Sequence, residues 1–267
     1  MKNFTQFLVV KGLQPVTVRG HVSSMGRIIR KIETENITCQ QANDFVSNLY
    51  MSNVSYSHKS NQVKALEYWL EYKGNKMIFG RQRKPKRLLK ETLTEAEITR
   101  MIISTKNIKE KSIVILLAYS GVRPKELCQI KISDIDFGTN QLRIEQGKEF
   151  KDGIIYIPSE CIKCLMEYVI KDKLNSNDFL FKTYMGNQYN QNALRKTIKV
   201  ISKRAKIEKR VYPYLLRHSL ATNMVKRGAN ILYIKEHFRH AWIETTMLYI
   251  HSIGNLDRVE QYFPQYI

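Results

Sequence analysis

The sequence predicts a mainly α-helical protein with a small antiparallel β-sheet, an α+β fold. Three observations carry this prediction. Apolar residues recur at spacings of three and four along most of the chain, as they do in helices with one buried face. Short alternating apolar patterns are confined to residues 132–158, where strands are expected. The 267 residues include only 6 prolines and 12 glycines, which argues against long irregular segments.

Residues 1–80 contain four helical patterns and no strand pattern, so we predict a small helical bundle there. Thr38 is a suitable cap for the third helix. Residues 81–92 are predicted to be a linker, because 81–87 hold five basic residues and one proline, a poor helix but a good phosphate-tracking segment. The predicted helices contain Phe4, Phe7 and Leu8, then 17–32, then 42–49, then 57–73.

Residues 93–267 are predicted to form a second domain. Thr94 and Glu97 have the spacing of a capping box at its first helix. The apolar stretch 111–120 predicts a buried helix, since it has almost no polar face. Three strands are expected at 132–137, 142–145 and 154–158, followed by helices at 159–173, 190–205, 215–227, 230–237, 243–251 and 257–263.

The net charge of +20 predicts a polyanionic partner. Residues 1–92 hold 16 basic and 6 acidic side chains, and the remainder holds 28 and 18, so the excess is shared by both parts. Such a distribution is expected of a clamp around double-stranded DNA.

No apolar run approaches 18 residues and the N-terminus is too polar for a signal peptide, so we expect a cytoplasmic protein without a membrane segment. Cys161 and Cys164 lack the second ligand pair of a structural zinc site.

Breaking a phosphodiester without a metal requires cations around the phosphate, an attacking nucleophile and an acid for the leaving oxygen. A guanidinium can hold two phosphate oxygens at once, and cations stabilise an ionised tyrosine. Lys151 is an alternative to the first-choice acid, and Glu126 has the spacing to orient a cation. The candidates are Arg123, Tyr214, Arg217 and His240 around the phosphate, Lys148 as the acid and Tyr249 as the nucleophile.

Four segments resemble the motifs of the tyrosine recombinase, or phage integrase, family. Residues 120–127, Ser-Gly-Val-Arg-Pro-Lys-Glu-Leu, are similar to Thr-Gly-Leu-Arg-x-x-Glu-Leu. Residues 214–218, Tyr-Leu-Leu-Arg-His, are similar to His-x-Leu-Arg-His. Residues 238–240, Phe-Arg-His, stand for Leu-Gly-His, and 245–251 fit Thr-Thr-x-x-Tyr-x-His. The resemblance covers nearly the whole chain, in a form similar to Xer-like or archaeal plasmid and virus integrases.

The resemblance implies a core-binding domain in the N-terminal bundle and a tyrosine-recombinase catalytic domain after it. It implies that Arg123, Arg217 and His240 bind the scissile phosphate, that Lys148 is the general acid, and that Tyr249 forms a 3′-phosphotyrosyl link. Neither ATP nor a metal is required. Such enzymes act as homotetramers on two DNA sites, and residues 259–264 are an apolar candidate for a segment exchanged between protomers.

Two residues depart from the family pattern. Tyr214 stands in place of a histidine, and Arg239 in place of the glycine before His240. A tyrosine can hydrogen-bond a phosphate, but it neither carries a positive charge nor acts as a base near neutral pH. The sequence therefore leaves two alternatives open, a catalytically inactive DNA-binding protein and a nicking and resealing enzyme like the type IB topoisomerases.

Overall fold

In a computed structural model, the chain forms two compact units, residues 1–88 and 89–267. Each unit has its own hydrophobic core. The predicted fold class, mainly α with a small antiparallel sheet, is confirmed. The residues that the structure describes are 1–85, 91–144, 153–240, 243, 246 and 247.

The described part of the first unit is a bundle of four helices. Thr38 caps the third helix in a capping box with Gln41, as its sequence position predicts. Trp69 packs edge-on against Phe4 with ring centroids 5.0 Å apart, and both are fully buried, so the first and last helices share one core. The helices are α1 (Lys2–Val10), α2 (Pro15–Ile32), α3 (Cys39–Met51) and α4 (Tyr56–Tyr72).

The second unit begins with α5 (Glu95–Ile103), α6 (Ile108–Ser120) and the single turn α7 (Pro124–Leu127). Thr94 and Glu97 form the predicted capping box of α5. Most of α6 is buried on all sides, in agreement with its apolar sequence.

The sheet is antiparallel with the order β1 (Ile135–Asp136), β2 (Gln141–Ile144) and β3 (Gly153–Tyr156). Gly153 pairs with Ile144, so β2 and β3 form the predicted hairpin. Its connection, residues 145–152, carries Lys148 and Lys151 and lies outside the described residues.

The predicted strand at 132–137 is wrong over its first three residues, which form a 3₁₀ turn. The Asp134 carboxylate accepts a hydrogen bond from the Lys131 backbone N–H at 2.8 Å. The N–H groups of Ile132 and Ser133 donate to carbonyls at 178 and 176, at 3.0 and 2.9 Å. Since these groups are already bonded outside the sheet, strand pairing begins only at Ile135.

Four further helices complete the described part of the second unit: α8 (Ser159–Lys171), α9 (Gln191–Arg204), α10 (Pro213–Lys226) and α11 (Ile231–His237). Of the helix predicted at 243–251, residues 243, 246 and 247 are described, and all three are helical. Tyr249, the helix predicted at 257–263 and the segment 259–264 lie outside the described residues, as do linker residues 86–90.

No helix in the described part of the chain combines the length and the apolar character that a membrane crossing needs. Within the same ranges, no group of three or more histidine, cysteine, aspartate or glutamate side chains is placed to hold a metal ion. All four cysteines are free, and burial raises the pKa of the Cys161 thiol to about 12, with Cys164 adding to the effect.

Candidate functional site

Gly121 caps the C-terminus of α6 and contacts the other residues of the candidate site. Its φ of +61° lies in the left-handed region that glycine adopts without cost. A Cβ on this residue would lie 2.9 Å from Cε1 of the Phe238 ring and 3.3 Å from Leu220. Two features therefore favour glycine at this position, the left-handed backbone and the close approach of Phe238.

Arg217 lies in the second turn of α10 and is almost fully buried. Its Nη1 donates to the Gly121 carbonyl, and its Nη2 donates to the Phe238 carbonyl at 2.7 Å. The guanidinium carbon sits 4.8 Å from the centre of the Phe238 ring, within the range of a cation–π contact. Two carbonyls and one ring thus fix the plane of this guanidinium.

Arg123 stands at the start of α7 and is held by Glu126, as the three-residue spacing predicts. Its backbone N–H donates to Oε2 of Glu126 and its Nη1 donates to Oε1, each at 2.7 Å. Its Nη2 donates to the Arg239 carbonyl at 3.1 Å. Arg123 is therefore clamped between a carboxylate on its own helix and a carbonyl 116 residues away in sequence.

Glu126 is buried and charged. Burial raises the pKa of this carboxyl, but the charge of Arg239 and the hydrogen bonds and charge of Arg123 outweigh burial, so the net pKa lies below its ordinary value. The carboxylate stays ionised at neutral pH because two guanidinium groups flank it.

Residues 238–240, directly after α11, bring the candidates together. Consecutive carbonyls of this turn accept hydrogen bonds from the two arginines, Phe238 from Arg217 and Arg239 from Arg123. His240 follows immediately. Three of the six candidates, which the chain spreads over more than 100 positions, are therefore neighbours in the structure.

The backbone of Arg239 is left-handed, with φ of +49°. A residue with a Cβ is strained in this region, whereas glycine is not. This conformation explains the glycine that the family pattern has at the position.

The side chain of Arg239 turns toward Glu126, and its Nη2 donates to Oε2 at 2.6 Å. It packs on the start of β3, where a Cβ on Gly153 would lie 2.7 Å from its Cδ. Its Nε and Nη1 are buried and have no hydrogen-bond partner among the described residues. Burial lowers the pKa of this guanidinium, against the opposing effect of Glu126.

His240 is held by Thr246, whose hydroxyl oxygen lies 2.7 Å from Nδ1. Thr246 is fully buried. Burial first, and then the charges of Arg217, Arg123 and His218, lower the pKa of His240 to about 3. The imidazole is thus neutral near pH 7.

Tyr214 lies in the first turn of α10, three residues before Arg217, and 41% of it is exposed. Within the described residues its hydroxyl has no hydrogen-bond partner. The Tyr214 hydroxyl therefore forms no hydrogen bond with Arg123 or His240, both of which are described residues.

Lys148, its alternative Lys151, and Tyr249 lie outside the described residues. Two neighbouring residues are at the site. Gly153, the first residue of β3 after the connection that carries both lysines, packs on Arg239, and Thr246, three positions before Tyr249, binds His240.

Two contributors are not predicted by the sequence. In the sequence, Thr246 is recognisable only as part of a motif, and Arg239 only as a departure from one. The signal available for Thr246 is its place in a short segment shared with the candidate nucleophile. No sequence signal indicates the contact of Arg239 with Glu126, which are 113 positions apart.

Comparison with known proteins identifies the family of the chain. Residues 91–255 match the phage integrase family. The tyrosine recombinase XerA of Pyrococcus horikoshii is 28% identical over 253 residues, which cover 93% of this chain and 87% of that protein. The crystal structure of XerA recombinase superposes with a TM-score of 0.61 at 25% identity, covering 99% of this chain and 98% of that one.

A second solved structure agrees in fold. The XerH site-specific recombinase bound to its difH substrate, a pre-cleavage complex, has a TM-score of 0.68 at 22% identity. The match covers 85% of this chain and 70% of that one.

Proposed function

Because the chain belongs to the phage integrase family, we propose that it is a site-specific DNA recombinase that cuts and rejoins DNA through a 3′-phosphotyrosyl intermediate. The observation that carries the proposal is the convergence of Arg123, Arg217 and His240 on the turn 238–240. Double-stranded DNA is the partner, in keeping with the net charge of +20.

Arg123 and Arg217 hold the non-bridging oxygens of the scissile phosphate. Each guanidinium is fixed in advance by carbonyl or carboxylate acceptors, so little reorganisation is required when charge builds up on the phosphate. His240 contributes a neutral donor. When the Thr246 hydroxyl donates to Nδ1, the ring proton resides on Nε2, which can then donate to a phosphate oxygen.

Tyr249 attacks the phosphorus in line. A bond forms between its phenolic oxygen and phosphorus, and the bond from phosphorus to the 5′ oxygen breaks. The phenolic proton passes to solvent as the new bond forms, and Lys148 supplies a proton to the leaving 5′ oxygen, with Lys151 as the alternative. The phosphotyrosyl link conserves the bond energy, so the reverse attack by a 5′ hydroxyl needs neither ATP nor a metal ion.

The domain assignment is part of the same proposal and rests on the sequence patterns and the family resemblance. Residues 1–80 form the core-binding half of a clamp around DNA, 81–92 are the basic linker, and 93–267 form the catalytic domain. We propose that the protein acts in the cytoplasm as a homotetramer on two DNA sites, with residues 259–264 exchanged between protomers. The shared positive charge of both parts supports the clamp.

A trapped cleavage reaction tests the function. The protein is incubated with duplexes nicked next to the cleavage position, so that the released strand diffuses away, and adducts are resolved on a denaturing gel. We expect a covalent protein–DNA adduct that is absent in Tyr249→Phe and strongly reduced in Lys148→Ala. Absence of an adduct on a duplex that the protein demonstrably binds would contradict the proposal and favour an inactive DNA-binding protein.

Strand exchange distinguishes recombination from nicking and resealing. Two duplexes with different labels, each carrying the same site, are mixed with the protein. Recombinant products are expected from a recombinase, whereas relaxation of supercoiled DNA without exchange would identify an activity like that of the type IB topoisomerases.

A further inference from the structure

Arg239 combines three features that are individually unfavourable. Its backbone is left-handed, its guanidinium is buried, and two of its nitrogen donors have no partner in the described part of the chain. Buried donors in native proteins are normally satisfied. An arginine that served only to stabilise the fold would be a poor choice for such a position, so a functional reason is required.

The charges around Glu126 supply that reason. One carboxylate oxygen accepts from Arg123 at 2.7 Å, and the other accepts from Arg239 at 2.6 Å. With glycine at position 239, Arg123 and Glu126 would form a neutral pair. With Arg239 present, the group of three carries one net positive charge next to the phosphate-binding turn.

The second departure from the family pattern removes a cation from the same site. Tyr214 stands where a histidine is usual, and a phenol cannot be positively charged. His240 does not replace the lost charge, because its imidazole is neutral near pH 7. The site thus loses a potential cation at 214 and gains a permanent one at 239.

We propose that Arg239 is a positioning residue for DNA cleavage, which holds Glu126 and Arg123 in place and supplies the positive charge that Tyr214 cannot. The proposal rests on the proposed recombinase function. Its effect on the phosphate is exerted through Glu126 and Arg123, because Arg239 contacts the carboxylate directly and its carbonyl accepts from Nη2 of Arg123. The charge also acts through space in a buried environment, where screening is weak.

The experiment is a double-mutant cycle between Arg239→Gly and Tyr214→His. Cleavage is followed in single-turnover reactions on the nicked duplex with saturating protein, and Kd is measured separately by gel shift. We expect Arg239→Gly alone to slow cleavage by roughly 10- to 100-fold, up to the loss that a small misplacement of a catalytic group causes, with little change in Kd. In the Tyr214→His background the loss should be smaller, because the histidine restores a group that can be charged.

Matched variants separate charge from structure. Arg239→Lys keeps a cation next to Glu126 and should retain most of the rate, whereas Arg239→Met, of similar length and uncharged, should be as slow as Arg239→Gly. Arg227→Ala removes an arginine paired with an exposed glutamate at 2.9 Å and should cleave at the wild-type rate when saturating. If Arg239→Gly does not fold, the lysine and methionine variants decide the question.

Three results would overturn the inference: a wild-type cleavage rate in folded Arg239→Gly or Arg239→Met, an effect confined to Kd, or an equal loss of rate with and without the Tyr214→His substitution. Failure of the proposed function is recognised separately, because the wild-type protein itself would then form no adduct.

Discussion

Replacing Gly121 with alanine tests the close packing on which the site is built. The added Cβ would lie 2.9 Å from Cε1 and 3.1 Å from Cζ of Phe238, distances at which an atom must move. Phe238 is fully buried and carries the Arg217 guanidinium on its ring, so a displaced ring also displaces the arginine. The carbonyl that accepts from Arg217 belongs to Gly121 itself.

Two costs add in this variant. A left-handed backbone with a Cβ costs about 1–2 kcal/mol, and forcing a methyl group into a packed core costs about 1–3 kcal/mol. Reduced freedom of the unfolded chain returns about 0.4–1 kcal/mol. We therefore expect Gly121→Ala to lower the free energy of unfolding by about 1–4.5 kcal/mol.

Gly228 provides a matched control. It also follows the end of a helix in the second unit with a positive φ, +81°, but a Cβ there would meet no atom within 4 Å. Gly228→Ala should bear the backbone strain alone and lose about 1 kcal/mol. The difference between the two variants isolates the contact with Phe238.

Urea unfolding followed by circular dichroism measures both free energies, and single-turnover cleavage measures the effect on Arg217. We expect slow cleavage in Gly121→Ala and normal cleavage in Gly228→Ala. Equal free energies of unfolding in the two variants, or an unaltered cleavage rate in Gly121→Ala, would show that Gly121 does not set the positions of Phe238 and Arg217.

Three further outcomes are expected. Burial and nearby arginines lower the pKa of His237 to about 4 and of His240 to about 3, below the ordinary 6.5. Between the pKa of each histidine in the folded protein and its ordinary pKa of 6.5, the unfolded chain binds more protons than the folded protein. The free energy of unfolding should therefore fall as pH drops below about 6.5, by at most about 1.4 kcal/mol per pH unit for each histidine. Urea titrations at pH 7, 6 and 5 measure this dependence, and its slope should be shallower in His240→Asn. Thr246→Val should slow cleavage about tenfold, which corresponds to the free energy of one hydrogen bond, while Thr246→Ser should cleave at the wild-type rate. Equal cleavage rates in Thr246→Val and Thr246→Ser would rule out a role for the hydroxyl. Gel shifts should show DNA affinity falling on the order of 1000-fold between about 50 and 200 mM salt, and a flat response would argue against the clamp.

The helices could be predicted because their signals are local. Capping boxes at Thr38 and Thr94 and the apolar sequence of α6 depend only on residues a few positions apart. The strand predicted at 132–137 is too long for the opposite reason. Its alternation is real, but the backbone N–H groups of Ile132 and Ser133 are taken by carbonyls more than 40 positions away, and no local pattern reports that competition.

The candidate site divides in the same way. The spacing of Arg123 and Glu126 within one turn predicts their ion pair, which the structure contains. The carbonyls at 238 and 239 that hold the two arginines could not be predicted, because backbone acceptors leave no trace in the residue types. The contact between Arg239 and Glu126 is equally hidden, since it joins two side chains from distant segments.

The two departures from the family pattern, at positions 214 and 239, are linked through the charge of the site. The backbone at position 239 favours glycine, so any side chain there must be offset by what it contacts. The Arg239 guanidinium pairs with the buried Glu126 carboxylate, which is also paired with Arg123. Arg239 therefore adds a positive charge to this group and does not displace Arg123 from Glu126. The electrostatic stabilisation of a phosphate is the sum of its interactions with the surrounding charges, each of which weakens with distance. It does not depend on which residue supplies a given charge. A site with Tyr214 and Arg239 can therefore stabilise the same developing charge as one with histidine and glycine, but its charge is permanent. Cleavage should consequently depend less on pH between about 6 and 8 than in the Tyr214→His, Arg239→Gly double variant, whose histidine titrates in that range.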